Sequence, residues 1–255
     1  MAEIPQRRER DADAAREAIL QAAEEQFAQK GFAGARVDDI ATCSGYNKSL
    51  ICHQYFKGKE GLYETVIHRM KQRGIAQMAE ILRPAFSADE SQLTAEMVQE
   101  FLAKAIRMRF DTLLAHENNR RILAWEAADR WSMYARMHFT KEELCGLEEA
   151  IQFVRRAQKA GFIRPEIDPT ILLTHVMGSS LIYLLSLPSY QLLLPHTDLT
   201  SPEALTHARE QLVEMIVRGV IIPVSPANNA PAIDKDADQQ DSAVSEKNQE
   251  APNSL

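Results

Sequence analysis

The run "VDDIATCSGYNKSLI", residues 37–51, constrains this chain more than any other stretch. Ile40, Ala41, Leu50 and Ile51 fall where two short helices would meet. Gly45 suits the tight turn between them, and Asn47 is a good N-cap for the second helix. Directly after that cap come Lys48 and Ser49, the positions a helix-turn-helix pushes into a major groove. The helix N-terminus adds partial positive charge toward phosphate. A second helix this short and this polar on its outer side makes sense if that side is kept for DNA.

Everything around this run also reads as helix. Ala15, Ala18, Ile19, Ala22, Ala23 and Phe27 recur at helical spacing, and Gly31 supplies the stop. A longer helix is expected from Lys59 toward Pro84, with further helices over 93–116, 120–138, 144–160, 171–187 and 202–222. Thr140 with Glu143 forms a capping box. Asp168-Pro169 and Ser201-Pro202 each set an N-cap before a proline at the first helical position. No alternating strand run or hairpin signal interrupts the series, so the chain reads as all-α.

Charge is uneven along the chain. The 255 residues carry a net charge of −7. Residues 1–73, however, hold 12 Lys+Arg against 11 Asp+Glu, and residues 225–255 hold 2 against 6. The N-terminal third is the one part that is not acidic. Its cations cluster at Arg7, Arg8 and Arg10 and again at Lys48, Lys57 and Lys59. The opening "MAEIPQRRER" lacks the apolar run of a secretory signal. Three widely spaced cysteines, Cys43, Cys52 and Cys145, argue for a reducing compartment and against a disulfide framework. A cytoplasmic protein is expected.

The run "REAILQAAEEQFAQKGFAGARVDDIATCSGYNKSLI…YFKGKEGLY" resembles the N-terminal domain of TetR-type (tetracycline-repressor-like) transcriptional regulators. The resemblance rests on "AAEEQFAQKGF", "VDDIA", the G-x-N-K turn and the aromatic pair with "KGKEGLY" after it, in that order. It implies an N-terminal three-helix helix-turn-helix DNA-binding domain joined to a larger helical ligand-binding and dimerisation domain. The implied partners are near-palindromic operator DNA, a second copy of the chain and a small-molecule effector. That points to a repressor which the effector releases. The alternative is a helical ligand-binding or adaptor protein with an impaired DNA head.

By position, the resemblance puts Lys48 and Lys59 on phosphate, with Lys57 and Arg36 beside them, and turns Tyr46, Asn47, Ser49 and His53 toward the groove or its rim. It pairs the last two helices with those of a second copy through Gly178, Leu181, Leu185, Leu212 and Ile216. Phe110, Trp125, Trp131, Tyr134 and Tyr183 are candidates to line an effector cavity, with Arg107, Arg109 or His175 fixing a polar group. The plainer reading, that these aromatics are core, is preferred. In one respect the sequence departs from the family. Gly45 to Phe56 spans 11 steps, one more than usual, and an extra helical residue rotates every later side chain by about 100°. Either Gln54 is inserted within the helix, or Tyr55 takes the core aromatic position and Phe56 lengthens the turn. A bulge or an early helix end is required, and the disruption is expected after His53.

The expected segments are a flexible basic arm (1–12), a DNA-binding domain (13–73), an effector and dimerisation domain (74–224) and a disordered acidic tail (225–255). Residues 170–194 contain no Asp, Glu, Lys or Arg, which would suit a membrane span. His175, Ser179, Ser180 and Pro188 argue instead for a helix buried at an interface. No cofactor, metal site, membrane partner or catalytic site is expected. "MGSSL" lacks the second glycine of a nucleophile elbow, and neither zinc spacing nor a P-loop occurs.

Overall fold

A computed structural model describes the backbone over residues 4–87, 93–137 and 141–223. Among these residues every regular element is helical: α1 (Ile4–Gly34), α2 (Val37–Ser44), a short reading helix (Leu50–Tyr55), α3 (Lys59–Ser87), α4 (Ala95–Ala115), α5 (Glu117–Ala128), α6 (Lys141–Lys159), α7 (Pro169–Leu193) and α8 (Pro202–Val220). The expected arm over 1–12 is helical from Ile4 onward, so its residues from there belong to α1. The expected capping box at Thr140 and Glu143 and the tail over 225–255 lie outside the described residues.

The head forms because one stripe of α1 is apolar. Ile19, Ala23 and Phe27 are fully buried, and they meet Ile40, Ile51, Phe56, Leu62, Tyr63, Val66 and Ile67 in one core. Gly31, with a left-handed φ of 65°, breaks α1 where the sequence placed its stop. Further along, Gly61 permits a close approach. A Cβ there would stand 1.9 Å from the Phe56 carbonyl oxygen, so only glycine lets the 56–58 turn fold back onto the start of α3.

The same core continues past the head. Ile122, Met133 and Met137 belong to it, and α3 runs unbroken through residues 73 and 74. Residues 1–222 form a single unit. A second core joins α4, α6, α7 and α8 around Val98, Leu102, Ile106, Phe153, Val154, Ile163 and Val176. The end of α8 is pinned to the loop after α6: Arg164 N–H donates to the Val220 carbonyl at 3.0 Å, and Ile222 N–H donates to the Phe162 carbonyl at 2.9 Å.

Caps read from the sequence appear in place. Asp168 Oδ1 accepts from the N–H groups of Thr170 and Ile171, and Ser201 Oγ accepts from Ala204 N–H. The expected helix over 120–138, by contrast, stops at Ala128. Arg130 and Trp131 take left-handed φ values of 57° and 60°, a cost of roughly 1–2 kcal/mol each. What offsets this is tertiary. The reversal lets Glu126 Oε2 accept from Tyr134 N–H at 3.1 Å.

Helix α7 is long and apolar enough to cross a membrane by length and composition. Leu172, Val176, Ser180, Leu184 and Leu187 bury one face of it against the domain.

Candidate DNA-binding surface

The turn between the two short helices is built as its residues dictate. Gly45 caps α2 in the left-handed region with φ 75°. Asn47 Oδ1 accepts from Leu50 N–H at 3.0 Å, so the N-cap assigned from sequence is formed. With its carbonyl occupied, the Asn47 side chain keeps two N–H donors to offer outward. Lys48, Ser49, His53 and Gln54 are all exposed, while Ile51 is fully buried. With Leu50 and Tyr55 packed part-buried beside Ile51, the helix is anchored on one side and open on the other.

The extra residue is absorbed by winding, not by a break. From Leu50 to Tyr55 the helix is π-wound, and Phe56 N–H bonds the Ile51 carbonyl five residues back at 3.3 Å. Phe56 keeps the core aromatic position at 3% exposure, whereas Tyr55 is only half-buried. The disruption expected after His53 takes the form of a π bulge and begins earlier, at Leu50. Its reason is the demand for Phe56 in the core: a wider turn accommodates one more residue without rotating that side chain out.

The cations of the surface differ in their freedom. Arg36 is exposed at the start of α2, and Lys57 is exposed with φ 55° in the turn before α3. Lys48 Nζ lies 2.9 Å from an Asp38 carboxylate oxygen, with both side chains more than half exposed. This raises the lysine pKa, chiefly through its hydrogen bond to Asp38. Such a surface pair is worth little and exchanges readily for a stronger anion. Lys59, expected on phosphate, is part-buried and engaged within the head. Its ammonium donates to the Ala33 carbonyl at 3.3 Å and lies 4.6 Å from the centre of the Phe32 ring, and burial lowers its pKa. Tyr46 is half-buried and packs its ring against the head core.

The head is tied to α5 through two contacts that sequence reasoning missed, one buried and one part-buried. Tyr63 O–H donates to Glu126 Oε1 at 2.5 Å, with both residues at 3% exposure or less. Burial, then the Glu126 carboxylate, pushes the phenol pKa up. Trp125 Nε1–H donates to the Ala28 carbonyl at 3.2 Å. Its ring covers Gly31, where a Cβ would stand 2.9 Å from it. Only the buried position of Glu126 in its helix could have signalled the first contact, since a lone carboxylate on an apolar face requires a donor.

The residues proposed for an effector do not gather in one place. Trp125 belongs to the contact with α1. Trp131 and Tyr134 pack edge to face with centroids 5.5 Å apart, and Tyr134 lies against the head core. Phe110 is buried beside Leu113, Leu184 and Leu187, with the Tyr183 ring 6.0 Å away. Arg107 is not available for a ligand, because it holds Glu210 of α8 through Nε and Nη2 at 2.8–3.2 Å. His175 is exposed, with Nδ1 2.9 Å from the Ile171 carbonyl of its own helix. An open groove of about 350 Å³ runs between α1, α5 and α7, lined by Ala28, Gln29, Arg121, Ala124, Trp125 and Leu185.

Of the residues expected at a dimer contact, Leu181, Leu212 and Ile216 are half-buried and pack inward on the domain's cores. Gly178 is half-buried, and Leu185 is 39% exposed. The apolar side chains that stand out from the same two helices are Ile171, Ile182, Leu192, Leu193 and Met215, at 59–83% exposure.

Comparison with known proteins agrees with this architecture. Residues 19–66 match the family described as bacterial regulatory proteins, tetR family. Residues 99–216 match a tetracyclin repressor-like C-terminal domain. The chain is 28% identical over 178 residues to the HTH-type transcriptional regulator RutR of Escherichia coli strain K12, covering 68% of this chain and 76% of that protein. It is 28% identical over 180 residues to the HTH-type transcriptional repressor NicS of Pseudomonas putida, covering 69% and 77%. A TetR family transcription regulator from Marinobacter aquaeolei VT8 shares the fold with a TM-score of 0.58 at 19% identity, covering 84% of this chain and 98% of that one. With a helix-turn-helix head in front and a helical domain of the repressor-like type behind it, the chain belongs to the TetR family of DNA-binding transcriptional regulators.

Proposed function

We propose that the chain is a cytoplasmic, homodimeric repressor of transcription that binds a near-palindromic operator and is released by a small-molecule effector. The observation that carries this reading is the helix from Lys48 to Tyr55. Asn47 caps it, Ile51 and Phe56 anchor it, and Lys48, Ser49, His53 and Gln54 are exposed on its outer side, Lys48 held only by a surface pair with Asp38. Tyr46, Asn47, Ser49 and His53 meet base edges or the groove rim. Arg36, Lys48 and Lys57 take phosphates, and Lys59 braces the end of α1 behind them. The division into a DNA-reading head (13–73) and an effector and dimerisation domain (74–224) is functional, since the two share a core through α5. The reaction chemistry of an enzyme has no part in this reading.

Selection from random duplexes tests it. A two-fold symmetric site should be enriched; no enrichment from folded protein overturns the repressor reading in favour of an adaptor with a disabled head. On the selected site, Lys48→Ala should weaken binding and lower the slope of log affinity against log salt by about 2, one for each subunit's lost phosphate contact. An unchanged slope removes Lys48 from the phosphate contacts.

A further inference from the structure

Among the described residues, the cations of α4 and α8 are matched to carboxylates with one exception. Lys104 pairs with Glu100, Arg107 with Glu210, Arg209 with Asp111 and Glu210, and Arg218 with Glu214. Arg109 has no ion pair among them. Its Nε donates to the Met177 carbonyl of α7 at 3.2 Å, and that is its hydrogen bond among the described residues. A guanidinium carries five donors, so most of its capacity is unused. The group also lies deep enough that desolvation lowers its pKa, yet the residue keeps partial solvent access. A charge so placed without a counter-ion costs stability.

Helices α4 and α7 pack together here, and they and their neighbours carry further polar groups. Ser180, on α7 one turn beyond Met177, is fully buried and its Oγ has no hydrogen-bond partner among the described residues. Tyr134 is close enough for its hydroxyl to interact electrostatically with Arg109. The buried ammonium of Lys71 lies 4.4 Å from the centre of the Tyr134 ring. The carboxylates of the neighbourhood are already held: Asp111 by Arg209, Glu210 by Arg107 and Arg209, and Glu126 by Tyr63 and the Tyr134 N–H. One turn along α4 from Arg109 stands Leu113, in the apolar cluster with Phe110, Leu184 and Leu187.

We infer that Arg109 is the anchor for an anionic effector, a small carboxylate with an apolar body, held at its charged end by the guanidinium and the Ser180 hydroxyl. This rests on the repressor reading and names the chemical class that would act on it. The planar fork of arginine suits a carboxylate, which takes two parallel N–H donors. The apolar remainder would lie along Tyr183, at the edge of the cluster that buries Phe110 and Leu113.

Thermal shift and tryptophan fluorescence with two matched pairs, benzoate against benzamide and nonanoate against nonanamide, test the assignment on the full chain. Trp131, packed on Tyr134, reports the site optically. At least one acid should bind in preference to its amide. Arg109→Met should weaken that acid by about tenfold or more, the loss expected for a charge-assisted hydrogen-bonded contact. Arg109→Lys keeps the charge without the fork and should fall between; it serves also if the methionine variant does not fold. An amide binding as well as its acid, or an undiminished acid affinity in both variants, overturns the assignment. Operator binding is measured in parallel. Intact operator binding with no preference for acids overturns the anion assignment alone, while a wild-type chain that selects no operator overturns the repressor reading beneath it.

Discussion

Tyr63 and Glu126 are separated by 63 positions, yet their 2.5 Å hydrogen bond joins the DNA head to α5 inside a shared core. Tyr63→Phe leaves the ring packing in place and removes only the donor. With the carboxylate still buried, the loss should be about 1–3 kcal/mol of stability. The phenol's pH response identifies the interaction. Its folded pKa is raised above the ordinary 10.0, so the contribution is fully present below that value. As the pH climbs past it, the unfolded chain releases a proton that the folded chain retains, and stability falls. Urea midpoints at about pH 8 and about pH 10.5 should therefore show the gap between wild type and Tyr63→Phe narrowing at the higher pH. A gap that stays constant means the phenolic proton is not what Glu126 holds.

At the scale of the element, the π-wound reading helix makes a specific claim about Gln54. The bond from Phe56 N–H to the Ile51 carbonyl spans five residues. Deleting Gln54 turns the same donor and acceptor into an ordinary α-helical pair, with Phe56 still directed to the core. The deletion should leave the melting temperature equal or higher, and since Lys48, Ser49 and His53 all precede the deleted position, operator choice should be retained. Loss of operator choice in a folded deletion variant would show that the π turn itself sets how the helix meets the groove. The extra residue was visible in the spacing from Gly45 to Phe56, and so was the need for a local irregularity. The form of that irregularity was not, because which aromatic enters the core is decided by α1 and α3. Elements whose ends depend on neighbouring residues were legible: Asn47, Asp168 and Ser201 cap the helices they precede. The end of α5 was not. It depends on Glu126 reaching Tyr134 and Tyr63 across the fold, and the 120–138 pattern contains no glycine or proline to announce a stop. Arg107 misled for a similar reason, since its partner Glu210 lies 103 residues away.

For the whole molecule, a near-palindromic operator requires two heads at a fixed separation, and α7 and α8 are where a second copy can supply the other. Burial inside one chain accounts for Leu172, Val176, Leu184 and Leu187 of α7. It leaves Ile182 at 68% and Met215 of α8 at 69% exposed. Large apolar side chains that stand out from two neighbouring helices of one domain call for a protein partner, and a homodimer buries the same patch twice. Leu181, Leu212 and Ile216, expected at that contact, pack on the domain's own cores, and we propose that their outward neighbours Ile182 and Met215 carry it. Changing both Ile182 and Met215 to Glu places like charges on a patch that meets its own copy. The double variant should sediment as a monomer with unchanged far-ultraviolet circular dichroism. Its affinity for the full operator should fall toward that for a half-site, since linked binding contributes on the order of a hundredfold or more. A folded double variant that remains dimeric would move the interface off these two helices, and a monomer that still binds the full operator at wild-type affinity would remove dimerisation from the mechanism.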